Sequence, residues 1–221
     1  MNHIDISSPE VVAMPIASID EELVSVFGHL NYGSPPESPE TKDCYHLVRK
    51  GVLERLVQAE KELPSGLRFR LYEGYRSPKF QESLFQQQLQ RVVASNPKFT
   101  QHEAYLIAAQ LVAPTKTFEG DPLFPPHSSG GAVDIEIVDF KGRVIDFGME
   151  IKDWISVDPS LCETHISCLS PVASKNRAML VSVMSSAGFV NYSREWWHFS
   201  YGDQYWACLT GHPHAYYASV R

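Results

Sequence analysis

The chain of 221 residues is short of cysteine, of positive charge and of long apolar runs, and each shortage excludes something. Four cysteines, Cys44, Cys162, Cys168 and Cys208, are too few for a disulfide framework at this length. The segment Cys162-Glu-Thr-His165-Ile-Ser-Cys168 matches no common zinc spacing, so its cysteines read as small packed hydrophobes. Lys and Arg number 19 against 26 Asp and Glu, a formal net charge of -7. Nucleic acid and anionic membranes call for dense positive surface, so neither is expected as a partner. No apolar stretch approaches the ~20 residues of a spanning helix. The opening residues carry Asp5, Glu10, Asp20, Glu21 and Glu22 and lack the basic segment and apolar core of an export signal. The expectation is a soluble, cytoplasmic protein.

What is present suffices for a packed interior: 43% of the residues are hydrophobic and 11% aromatic. Residues 1–40, with the run Ser34-Pro35-Pro36-Glu37-Ser38-Pro39, read as an irregular lead-in packed on a domain spanning 41–221. Leu47, Val48, Val52, Leu53, Leu56 and Val57 predict a helix from Thr41 until Pro64. The alternation at 67–72 predicts a strand, and Ser77-Pro78 then caps a second helix reaching about Asn96. A third helix is expected after Thr100, with Ala104, Ile107, Ala108 and Leu111 on its apolar side. A loop over 114–126 precedes a strand at 133–138, and Lys141-Gly142-Arg143 reads as a hairpin turn into a short strand at 144–146. A helix over 174–187 closed by Gly188 leads to a final strand pair, 189–192 and 196–201. Helices come mostly first and antiparallel hairpins last, which predicts a single α+β domain with helices packed on a small central antiparallel sheet.

Three segments carry chemistry. In His127-Ser128-Ser129-Gly130-Gly131-Ala132-Val133-Asp134 two glycines separate an imidazole from a carboxylate, at the turn entering a strand. A tight glycine turn lets both side chains reach one point, and both are good zinc ligands. The plainer reading is a loop histidine and an aspartate on a solvated strand face. Glu195-Trp196-Trp197-His198 offers a third ligand and an acid/base carboxylate. Residues three apart on a straight strand face opposite sides, so Glu195 must then sit on the turn before the strand or at a bulge. The alternative is an aromatic core strand with incidental polar neighbours. Glu73-Gly74-Tyr75-Arg76-Ser77-Pro78 holds Arg76 between a strand end and a helix cap, poised to donate to an oxyanion or a carboxylate.

Together, His-Ser-x-Gly-x-Ala-x-Asp, then Glu-x-Trp-His, with an upstream Gly-Tyr-Arg, resemble the zinc D-alanyl-D-alanine peptidases, both the vancomycin-resistance type dipeptidases and the related D,D-carboxypeptidases. The resemblance runs from about Leu67 to Tyr201. It implies one zinc ion per chain bound by His127, Asp134 and His198, with Glu195 as acid/base and Arg76 stabilising the transition state. It implies a small dipeptide such as D-Ala-D-Ala as substrate. The alternatives are a carboxypeptidase or endopeptidase on longer peptidoglycan stems, and a non-catalytic zinc-binding module. Pro125 stands where such dipeptidases carry serine, and Ser129 where they carry arginine. The lead-in and the 114–126 loop are expected as walls of the cleft. Asp146 has two readings, holding a substrate amine or capping its own turn, and His212-Pro213-His214 reads as a site of adventitious metal binding at most.

Overall fold

The structure is a computed structural model that describes residues 3–36 and 38–220. Met1, Asn2 and Glu37 of the lead-in, and Arg221, lie outside the described residues. A five-stranded sheet organises the chain, in the order β2 (Asn31–Tyr32), β4 (Arg68–Glu73), β5 (Ala132–Val138), β7 (His198–Ser200) and β6 (Val190–Asn191). Its neighbours are antiparallel except at one edge, where β2 runs parallel to β4. The segment read as irregular thus contributes an edge strand. It also contains the short helix α1 (Pro9–Val12) and β1 (Leu23–Ser25).

Alternation along β5 sends Val133, Ile135 and Ile137 to one face, fully buried with Leu56 of α2 (Lys50–Glu60) and Leu180 and Met184 of α6 (Pro171–Ser186). The opposite face carries Asp134 and Glu136, and it is buried too. Arg70 on β4 meets Glu136 across the strands at 2.6 Å, compensating a carboxylate that burial would otherwise leave alone. Asp134 lies one step further toward the strand start, where a second layer covers the sheet. That layer holds α3 (Pro78–Ser95) and α4 (Gln101–Ala108), packed on each other through Leu84, Phe85, Ala104 and Ala108.

The predicted helix from Thr41 begins late. Leu47–Arg49 form β3, paired antiparallel with β1, and only from Lys50 does the chain turn helical. Strand pairing outweighs the helical spacing here because Arg49 is held extended: its N–H donates to the Gly130 carbonyl at 2.9 Å and its Nε to the Ser129 carbonyl at 2.8 Å. Other starts follow their caps. Ser77 accepts from Phe80 N–H before α3, Thr100 and Glu103 form a reciprocal capping box before α4, and Ser170 caps α6 four residues ahead of the expected start. The turn at 141–143 forms, but the strand expected after it reduces to a single bridge between Val138 and Val144. Ala104 and Ala108 are fully buried as expected, but Ile107 is 41% exposed and Leu111 only half-buried. A last helix, α7 (Gln204–Thr210), is capped by Asp203. Among the described residues no helix is long and apolar enough to cross a membrane.

Candidate active site

One cleft collects the three sequence segments. Its lining includes Arg76, His127, Asp134, Glu195, Trp197 and His198. Each arrives on a different element, and hydrogen bonds join the carriers. His127 sits on α5 (Pro126–Ser129), a four-residue helical turn closed by Gly130 at φ 74°, the left-handed backbone that lets β5 start at once. His127 Nδ1 donates to the Gly74 carbonyl at 2.7 Å, Arg76 N–H donates to the His127 carbonyl at 3.2 Å, and Ser128 Oγ donates to the Arg76 carbonyl at 2.9 Å. Gly74 must be glycine, since a Cβ there would lie 2.5 Å from the Leu47 carbonyl oxygen. Asp134 and His198 are cross-strand partners on β5 and β7. Glu195 lies on the turn before β7, the position that its spacing from His198 required; its N–H donates to the Tyr192 carbonyl at 2.9 Å.

Three ligand atoms face one another. His198 Nδ1 is 3.1 Å from both His127 Nε2 and Asp134 Oδ1, and His127 Nε2 is 3.4 Å from Asp134 Oδ1. Ligands at about 2.0–2.1 Å from a tetrahedral zinc stand about 3.3–3.4 Å apart, so the trio fits a metal of that size and coordination. The tautomers fit as well. With its Nδ1 proton on Gly74, His127 offers a lone pair at Nε2, and a ligating His198 carries its proton on Nε2, 3.5 Å from Ser200 Oγ. Burial pushes His198 down, favouring the neutral imidazole that ligates, against the hydrogen bond to Asp134. Burial would push Asp134 up, but the charge and hydrogen bond of His127, with the hydrogen bond from His198, hold it well below the usual carboxylate range. Among the described residues these three form the one group of His, Cys, Asp or Glu side chains close enough to share a metal.

Glu195 Oε2 is 3.8 Å from His198 Nδ1, beside the trio. Arg76 completes the cleft with its guanidinium clamped: Nη2 pairs with Glu73, and Nη1 donates to Gln81 Oε1 at 3.0 Å. The two tryptophans divide. Trp196 is fully buried, stacked on Phe147 with ring centroids 4.2 Å apart, whereas Trp197 lines the cleft. The walls differ from expectation. Ile6 comes from the lead-in, but the other side is built from 109–113 with Pro125 and Pro126, and the intervening 114–124 stand back. Asp146 is exposed, outside the cleft lining, and accepts from Gly148 N–H at 2.8 Å, so it caps its turn. His212 is engaged with the His214 carbonyl and Tyr216 Oη.

Comparison with known proteins follows the same lines. The D-ala-D-ala dipeptidase family of peptidases matches residues 40–218. The chain belongs to that family. It is therefore a metallopeptidase of the D-Ala-D-Ala dipeptidase group. The D-alanyl-D-alanine dipeptidase of Synechocystis sp. is 28% identical over 93% of this chain and 92% of its own length. The D-alanyl-D-alanine dipeptidase of Escherichia coli is 33% identical over 73 residues, covering 33% of this chain and 36% of that one. In fold, the chain resembles VanYB, solved in complex with D-alanine-D-alanine, with a TM-score of 0.50 at 15% identity over 92% of this chain and 94% of that one.

Two buried carboxylates, Glu73 and Asp203, were assigned no role by any motif. Glu73 precedes Arg76 by three residues, but only the bulge that interrupts β4 between Leu71 and Glu73 turns the carboxylate under the guanidinium. Asp203 reads in sequence as a helix cap, and it is one: Oδ1 accepts from Trp206 N–H at 2.8 Å. Its Oδ2 is buried with no hydrogen-bond partner, and burial pushes the carboxyl up to about 6 against the pull of the Trp206 N–H and the Ser200 hydroxyl.

Proposed function

We propose that this chain hydrolyses the peptide bond of D-Ala-D-Ala or a similarly small dipeptide, with one zinc ion held by His127, Asp134 and His198. The observation that carries the reading is the spacing of those three ligand atoms, 3.1, 3.1 and 3.4 Å, with a carboxylate 3.8 Å away in the same cleft. A structural zinc site is closed by four protein ligands; three ligands beside a carboxylate leave a position open for chemistry. When bound there, zinc supplies Lewis acidity, polarising a carbonyl and lowering the pKa of water to about 7.

The protein's own groups do the rest. Glu195 accepts the proton of the attacking water on a carboxylate oxygen and delivers it to the leaving amine. Arg76, fixed by Glu73 and Gln81, faces the oxygen that becomes anionic. Asp134, held ionised, supplies the negative charge that a dication needs in a buried setting. The narrow cleft, about 50 Å³ between walls that include Ile6, Pro125, Pro126 and Trp154, favours a small substrate over a long peptide. The likeness to the D-alanyl-D-alanine dipeptidase of Synechocystis sp. over 93% of this chain supports the same substrate.

The test is a substrate panel of D-Ala-D-Ala, L-Ala-L-Ala, a tripeptide and a pentapeptide stem, each with and without chelator. The reading predicts chelator-sensitive release of D-Ala from D-Ala-D-Ala and poor cleavage of the longer peptides. Faster cleavage of the pentapeptide stem would make the chain a D,D-carboxypeptidase, and chelator-insensitive turnover would remove the metal from the reaction.

A further inference from the structure

Two cavities meet at a partition of four residues. The cleft just described is separated from a second cavity of about 20 Å³ by residues that line both: Ile6, Ala113, Pro125 and Pro126. The second cavity is walled chiefly by apolar groups, among them Val11, Leu123 and Phe124. Of the four dividing residues, Ala113 offers only a methyl group, and the two prolines are rigid and lead directly into the turn that carries His127. Ile6 is the largest side chain of the four. It belongs to a segment outside the sheet, only partly buried, packed with Ile4 against Val11, Tyr192 and Tyr205 and anchored further by polar contacts.

Those anchors converge on one loop. Asp5 pairs with Arg194 and accepts from Tyr192 Oη at 3.2 Å, while His3 Nδ1 lies 2.7 Å from Ser193 Oγ. Residues 192–194 immediately precede Glu195, so the loop that presents the carboxylate also grips the segment that carries Ile6. Tyr192 Oη is also 2.7 Å from the Gln110 carbonyl, so its one proton is shared between Asp5 and Gln110 and joins the grip to the 109–113 wall. The ion pair is half-covered, its side chains 20% and 27% exposed, and nothing in the main core depends on it.

We propose that Ile6, held in place by the clasp of Asp5 with Arg194 and Tyr192, sets the length of peptide that the cleft accepts. With Ile6 present the cleft ends at the partition. Without it, the space of the Ile6 side chain joins the small apolar cavity, and the merged apolar space takes one further residue with an apolar side chain. The inference rests on the dipeptidase reading above and names the residue that enforces it.

The experiment compares wild type with Ile6→Gly and Asp5→Asn, the latter nearly isosteric. Substrates are D-Ala-D-Ala and tripeptides that add leucine or aspartate at either end. The quantity read is kcat/KM for each tripeptide divided by that for D-Ala-D-Ala in the same sample, which cancels differences in active fraction. Burying one apolar side chain corresponds to about tenfold or more in binding, so that ratio should rise at least about tenfold for one leucine tripeptide in both variants. It should not rise for the aspartate tripeptides. Calorimetric Kd ratios for the same peptides, measured on zinc-loaded Glu195→Ala carrying each change, should move in parallel and do not depend on turnover. An unchanged ratio in Ile6→Gly, or equal gains for leucine and aspartate, would overturn the inference. Failure of wild type to cut or bind D-Ala-D-Ala would instead overturn the dipeptidase reading, and with it this refinement.

Discussion

The N–H of Arg76 donates to the carbonyl of His127 at 3.2 Å, so the cationic and the metal-facing ends of the cleft share one backbone scaffold. A change that moves one is transmitted to the other through three hydrogen bonds rather than through packing alone.

The ligand assignment predicts that wild type binds one zinc per chain and that His127→Ala, Asp134→Ala and His198→Ala each lose it. Metal analysis after dialysis checks this directly. Added zinc should raise the Tm of wild type and leave that of Asp134→Ala unchanged, because only a folded state with the site gains from mass action. One tightly bound zinc in the triple variant would place the site elsewhere.

Arg76 is the partner of a fully buried carboxylate and is proposed to stabilise the oxyanion, and the two roles separate by mutation. Arg76→Ala should retain zinc while kcat and kcat/KM fall together, by about 10²–10³-fold, the deficit expected on losing one oxyanion donor. It should also destabilise the fold, by about 3–5 kcal/mol, because Glu73 is left buried without its counter-charge. Adding Glu73→Gln should recover much of that stability and none of the turnover. Recovery of turnover in the double variant would show that Arg76 acts only by holding the fold. Arg76→Lys should rescue little, since a point charge does not reproduce a planar fork.

Asp203 gives a pH signature. Burial raises its folded-state pKa to about 6 from 3.8, so the folded state binds the proton more tightly than the unfolded chain. The associated stability is present below about pH 4 and is lost as pH rises through about 6, an amount on the order of 3 kcal/mol. Asp203→Asn keeps a cap for Trp206 N–H but does not titrate. In chelator-treated protein, its stability relative to wild type should therefore increase between pH 4 and 7. Parallel curves from denaturant unfolding across that range would contradict a carboxyl whose pKa is raised by burial.

What the sequence made legible follows the range of the forces involved. The β5 alternation, the Ser77-Pro78 and Thr100 caps, and the glycine turn before Asp134 are local and carry their own signal. So does the requirement that Glu195 precede the strand, which is a matter of side-chain parity. The late start of α2 was not legible, because 47–49 has helical spacing and becomes a strand only through β1 and the contacts of Arg49 with 129–130. The partition by Ile6 was not legible either. It depends on Asp5 meeting Arg194, 189 residues away, and no spacing rule reaches that far.

The most direct test of the account is the zinc content and turnover of Glu195→Ala on D-Ala-D-Ala. Glu195 stands beside the three ligands and is assigned the proton transfers, not the metal. The variant should keep one zinc per chain and the wild-type circular dichroism spectrum while kcat falls at least about 10²–10⁴-fold, with no rescue by added metal. Loss of zinc would make Glu195 a ligand, and full activity with zinc retained would leave the proposed hydrolysis without its base.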